Sequence, residues 1–158
     1  MAFSFVNTPE LDDPLMGFRF GVFFLGSIGL SHPLDFRFQE VSGLDIKLEL
    51  KRIDAKGQGD ISFRLPEKKV FSNLVLKRGM PSHSSLRTEI QSDLLNTKSV
   101  ARDVLVSILD ENALPLNSWL FKRAYPVQWS LSSLNANTNQ VIIETMELSF
   151  DTFQPFSI

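Results

Sequence analysis

The side chains that could do chemistry here are few and poorly spaced for it. The chain has two histidines, His32 and His83, and no cysteine, which closes off thiolate chemistry and disulfides. A zinc centre would need both histidines, plus carboxylates, carried to one place by the fold. Each histidine instead sits among Pro and Ser, in Ser31-His32-Pro33 and Pro81-Ser82-His83-Ser84, the composition of a solvated loop. No Gly-x-Ser-x-Gly elbow is present to raise a nucleophilic serine, and Gly26-Ser27-Ile28-Gly29 has the composition of a turn. Lys56-Gly57-Gln58-Gly59-Asp60 has the glycines of a phosphate cradle but lacks P-loop spacing and its Lys-Ser/Thr ending. It also lies between two predicted strands, so no helix N-terminus would face an anion. Glu144 and Glu147 share a predicted strand at odd spacing, which puts them on opposite faces and not in a general acid–base pair. Trp119, Phe121, Tyr125 and Trp129 could stack bases. With 16 basic against 18 acidic residues, however, the chain lacks the basic excess of a nucleic-acid binder, so packing is the better reading of these rings. The sequence predicts no enzyme, no catalytic or metal site and no cofactor.

The elements around these residues read as strands. From Met16, Phe18, Phe20, Val22 and Phe24 alternate with Gly17, Arg19, Gly21 and Phe23, a period of two. Leu34, Phe36 and Phe38 restart the alternation up to Ser42-Gly43. Ile46, Leu48 and Leu50 then alternate with Lys47, Glu49 and Lys51, predicting a strand with one dry and one wet face. Asp54–Asp60 is a polar loop. Ile61, Phe63 and Leu65 predict a short strand ended by Pro66, and Val70–Lys77 another ended by Arg78-Gly79. Leu86, Ile90 and Leu94, after the start signal Pro81 to Ser85, predict one helix with a narrow apolar stripe that covers a sheet edge or face rather than forming the core. Strands resume over Val104–Leu109, Leu116–Ala124, Val127–Leu131 and Val141–Phe150. The long strands are expected to be free of proline.

At 158 residues and 17.9 kDa, the length suits one unit that buries about two-thirds of its unfolded surface. Residues 1–15 read as an extended arm and 16–158 as one β-domain. The expected fold is mainly β: two packed antiparallel sheets of about eight strands, a small sandwich or barrel, with one α-helix. The one strongly apolar run, Val22 to Leu30, is too short for a membrane helix, and Glu10, Asp12 and Asp13 precede it where a signal peptide would be positive. Cytoplasmic synthesis without a signal peptide or membrane anchor is the expectation. The basic pairs Lys51-Arg52, Lys68-Lys69, Lys77-Arg78 and Lys122-Arg123 read as a mixed surface or as ion pairs to a neighbouring copy.

Four short signatures in fixed order remain. They are Phe38-Gln39-Glu40-Val41-Ser42-Gly43-Leu44; Leu65-Pro66 leading into Phe71-Ser72-Asn73-Leu74-Val75-Leu76-Lys77-Arg78-Gly79; Trp119 with Ala124-Tyr125-Pro126-Val127-Gln128-Trp129; and Leu134-Asn135-Ala136 leading into Ile143-Glu144-Thr145-Met146-Glu147-Leu148. In this order they resemble the inner tail-tube proteins of contractile phages and phage-derived contractile injection systems, over roughly residues 13 to 150. The resemblance implies a structural subunit of hexameric rings whose inner strands join into one barrel around a lumen. The rings stack into a tube that a contracting sheath drives through a target envelope.

The implied partners are further copies of the chain, sheath subunits, the baseplate hub and spike, tube-terminating proteins and cargo in the lumen. Ring-to-ring contacts would fall on the arm, at Pro9, Leu11 and Asp13, and on the loop Asp54, Ala55, Lys56, Gly57, Gln58, Gly59 and Asp60. Phe18, Phe20, Phe36, Phe38, Trp119 and Trp129 would pack the core or the seam between subunits. Both the bulk tube and the first ring on the baseplate fit. Two other classes stay open on the residues alone: a monomeric β-barrel holding a small apolar molecule, and an OB-type binder of single strands.

Overall fold

The computed structural model describes residues 19–26, 29–30, 37–54, 57, 61–98 and 100–157. In chain order they form β1 (Phe20–Gly26), β2 (Gly29–Leu30), β3 (Glu40–Ser42), β4 (Lys47–Asp54), β5 (Ser62–Val70), β6 (Leu74–Gly79), α1 (Ser85–Leu95), β7 (Arg102–Leu109), β8 (Pro115–Leu131), β9 (Ile143–Ser149) and β10 (Thr152–Phe156). The strand order is β2-β1-β7-β8-β9-β6-β3, with β10 also on β8, and every pairing is antiparallel. β4 and β5 pair only with each other.

β8 organises this arrangement. Its first part pairs with β7 as far as Ala124, and from Tyr125 it pairs with β9. β10 continues the β9 register along β8, from Thr152 opposite Lys122 to Phe156 opposite Ser118. The chain bends at Arg123, whose φ is +53°. Its N–H donates to Asp103 Oδ1 at 3.1 Å and its guanidinium pairs with Asp151 across the bend. On one side of the bend lie β7 and β1, on the other β6 and β3, and their inner faces meet. Val22, Phe24, Val104 and Val106 share one core with Leu74, Leu76, Met146 and Leu148. The protein is therefore mainly β, two antiparallel sheets packed together with one helix.

The helix contributes more than its narrow stripe implied. Ser84 caps it, its Oγ accepting the Arg87 N–H at 3.1 Å, and Leu86 and Ile90 lie fully buried inside the core. Four phenylalanines cluster where β8 meets β10. The Phe121 ring lies 4.8 Å from Phe150 and 5.0 Å from Phe153, and Phe71 is 5.5 Å from each of the latter two.

Three expectations need correction. Pro66 does not end its strand, and Leu116–Ala124 and Val127–Leu131 are one strand through Pro126, so the long strands do contain proline. Each of these prolines stands at a register shift, between Glu49 and Leu50 on the partner of Pro66 and between Pro126 and Gln128. The residues skipped are Glu67 and Val127, each next to its proline, and a ladder interrupted at a bulge tolerates the missing N–H. β10, carrying Pro155 and pairing only with β8 among the described residues, lies beyond the last predicted strand.

Candidate assembly interface

The first two sequence signatures meet at the root of the β4–β5 ribbon. Gly43 leaves β3 with φ +91°, and a Cβ there would stand 2.0 Å from the Asn73 carbonyl oxygen. Two residues on, the Asp45 carboxylate accepts from the Ser72 N–H at 3.2 Å and from Ser72 Oγ at 2.9 Å. The two chain crossings that lead into and out of the ribbon are thus pressed together, and only glycine fits at the contact. Gly43→Ala is expected to lower stability by more than the ~1–2 kcal/mol of a left-handed backbone alone. It should also speed tryptic cutting within the ribbon. Unchanged melting and digestion would show that the root tolerates a side chain.

Beyond the root the ribbon stands alone: neither strand packs against another element among the described residues. Its apolar side chains are open to solvent. Ile46, Leu48, Leu50, Ile53, Ile61, Phe63 and Leu65 are each between 42 and 58% exposed. The dry face expected for Ile46, Leu48 and Leu50 therefore has nothing among the described residues on it. A two-stranded ribbon without a covered face is marginal in water, and apolar exposure on this scale marks an interaction surface.

The other signatures converge inside. Glu144 on β9 is opposite Arg78 on β6 and is fully buried. Its Oε2 accepts from Arg78 Nε at 2.9 Å and its Oε1 from Trp129 Nε1 at 2.9 Å, with Arg87 Nη1 3.8 Å from Oε1. Arg78 also donates to Ser84 Oγ at 2.8 Å and stands over the Phe38 ring at 4.9 Å. Arg78 is therefore no surface charge for a neighbouring copy; it ties the second, third and fourth signatures to the helix cap. Glu147 points the other way, accepting from Asn73 Nδ2 at 2.7 Å.

Of the residues assigned to ring contacts, Asp54 closes β4 and Gly57 lies at the ribbon tip. Ala55, Lys56, Gln58, Gly59, Asp60, Pro9, Leu11 and Asp13 lie outside the described residues, as do Phe18, Phe36 and His32. Phe38 is in the core, and Phe20, Trp119 and Trp129 pack against it half-buried. His83 is exposed before α1. The residues that sequence reasoning missed are the arms of the ribbon. The signal for them was two alternating runs, Ile46–Lys51 and Ile61–Leu65, flanking a polar loop, the pattern of a hairpin. Among the described residues no three His, Asp or Glu side chains gather to hold a metal, and no helix is long and apolar enough to cross a membrane.

No curated protein matches the chain by sequence. Solved structures do. A chain of the anti-feeding prophage baseplate, in a 6-fold symmetrised structure, is 31% identical over 92% of this chain and 97% of that one, with a TM-score of 0.82. A chain from the anti-feeding prophage tube-terminating cap is 22% identical, covers 100% of both and has a TM-score of 0.77. One from the sheath–tube complex of an extracellular contractile injection system in its extended state is 20% identical over 94% and 95%, with a TM-score of 0.73. The model of the T4-like virus tail tube protein gp19 family matches residues 16–154, a span that holds the ribbon, its root and the buried cluster alike, and the chain belongs to that family.

Proposed function

We propose that this chain is a ring-forming structural subunit of the inner tube of a contractile injection system. Six copies close a ring by joining sheet edges, and rings stack with the ribbon as a principal contact between subunits. The observation that carries this reading is the ribbon, an apolar projection that nothing among the described residues covers, in a member of a tail tube family. Free strand edges point the same way: β3 pairs only with β6 and β10 only with β8 among the described residues, and pairing with a neighbouring copy removes such edges.

One observation favours the baseplate end of the tube. The structure that matches at 31% identity is a baseplate, against 22% for the cap and 20% for the sheath–tube complex. We place the chain in the rings that begin the tube there, with sheath, hub and tube-terminating proteins as the wider partners. The monomeric ligand barrel is the weaker reading, because Val22, Leu74, Leu76, Val104 and Met146 are fully buried in the shared core, where such a barrel would keep open space.

Electron microscopy of the purified chain, alone and mixed with baseplates, tests this. Six-fold rings, forming readily on baseplates, are the expected result. A chain that stays monomeric at high concentration and in the presence of baseplates would overturn it.

A further inference from the structure

The ribbon's apolar surface changes sides along its length. In an antiparallel pair, residues opposite each other point to the same face, and successive pairs alternate. Leu48 is opposite Lys69 and Leu50 opposite Pro66, so near the root the apolar face is the one that carries these residues. The reverse face there holds Lys47, Glu49 and Lys68, with Lys68 Nζ 3.4 Å from Glu49 Oε2 and the half-buried Val70 opposite Lys47 at the root. Past the register shift at Leu50 the pattern inverts. Ile53 is opposite Phe63 and Lys51 opposite Leu65, which puts the apolar side chains on the face that was charged. The face that was apolar now carries Arg52, Arg64 and Asp54, with Arg52 Nε 3.3 Å from Asp54 Oδ1. Both ion pairs lie within one face, as this assignment of faces requires.

Charge says what covers the two patches. Residues 47–70 hold seven basic and four acidic side chains, net +3, while the rest of the chain holds nine and fourteen, net −5. A basic ribbon with apolar patches complements the acidic body of another copy. Resting on the tube reading above, we propose that the ribbon is clasped between two different copies of this chain. One copy covers the root patch of Leu48 and Leu50, and another covers the tip patch of Ile53, Phe63 and Leu65 on the opposite side. Each ribbon then ties three chains together, and the step from Leu50 to Ile53 on β4, beside the register shift, sets where the hand-over occurs.

The chain has no cysteine, but a photo-crosslinker is the cleaner probe because it needs no second residue. Benzoylphenylalanine replaces Leu48, Phe63 or both, and the labelled chain is diluted into a large excess of unmodified chain before assembly, so that each labelled chain meets only unlabelled neighbours. After illumination of assembled rings or tubes, each single-probe chain should give a two-chain product and the double-probe chain a three-chain product. A double-probe chain that stops at two chains, in particles that assemble normally, would overturn the clasp: the ribbon's twist would then bring both patches to one neighbour. The tube reading would survive that result. Failure of the unmodified chain to assemble at all, even on baseplates, would instead overturn the tube reading itself.

Discussion

Glu144→Ala is expected to cost about 3–5 kcal/mol, the scale of removing one partner from a buried ion pair. The loss is large because of what stays behind. Arg78 is 5% exposed and keeps its charge, Arg87 loses the Glu144 carboxylate 3.8 Å away, and the Trp129 N–H loses its acceptor. The two cations then face each other inside the protein beside the cap of α1. Glu144→Gln should fall between, since a carboxamide oxygen can still accept from Trp129 or Arg78 but supplies no charge. A double variant, Glu144→Leu with Arg78→Met, should recover part of the loss, because a buried pair is often replaceable by apolar side chains of similar volume. Urea midpoints of the parent, Glu144→Leu, Arg78→Met and the double variant close a double-mutant cycle. Additive effects of the two single changes would mean that Arg78 and Glu144 do not act as a unit.

The cluster also explains what could be seen beforehand and what could not. The second, third and fourth signatures were visible as strings, but nothing local says that Arg78, Trp129 and Glu144 meet. They are brought together by the β8–β9 and β6–β9 registers, which are tertiary facts. Leu74 to Lys77, within the strand predicted over Val70–Lys77, was legible because alternate side chains there are fully buried; the strand in fact begins at Leu74 and runs on through Arg78 and Gly79, which had read as its end. The alternation of Ile46 to Lys51 was equally clean and misled on burial, since nothing among the described residues packs on its dry face. Pro66 and Pro126 read as strand ends because proline lacks a donor. The bulges that accommodate them depend on the partner strand and leave no mark in the sequence. β10 was hidden by shortness and by Pro155, and Phe153 packs against the core through Phe71, Phe121 and Phe150, which the fold brings beside it. Gly43 was visible as a signature residue, while its reason, the Asn73 carbonyl against its α-carbon, belongs to the fold.

Phe121→Ala is expected to cost about 3–5 kcal/mol, the range for truncating a buried phenylalanine in a core that cannot collapse. Phe121 is fully buried, opposite Val104 on β7 and Phe153 on β10, and its ring meets those of Phe150 and Phe153. Both neighbouring strands hold the site open, so a cavity should persist, and edge-to-face contact with Phe150 adds ~0.5–1.5 kcal/mol beyond area. At roughly 2–4 °C per kcal/mol for a chain of this size, melting should fall by about 6–20 °C. Trp129 is the instructive contrast: half-buried and anchored by one hydrogen bond, it should tolerate Phe far better than Phe121 tolerates Ala. Because Phe121 touches no surface, whatever fraction of Phe121→Ala stays folded should still assemble into rings of unchanged geometry. Polar substitution of Phe63 should do the reverse, leaving melting of the isolated chain nearly unchanged while assembly fails. If Phe121→Ala melts within about 2 °C of the parent, the ring cluster is not the core that its burial implies. If Phe63→Ser destabilises the isolated chain as strongly, the ribbon is held by its own body and not by its neighbours.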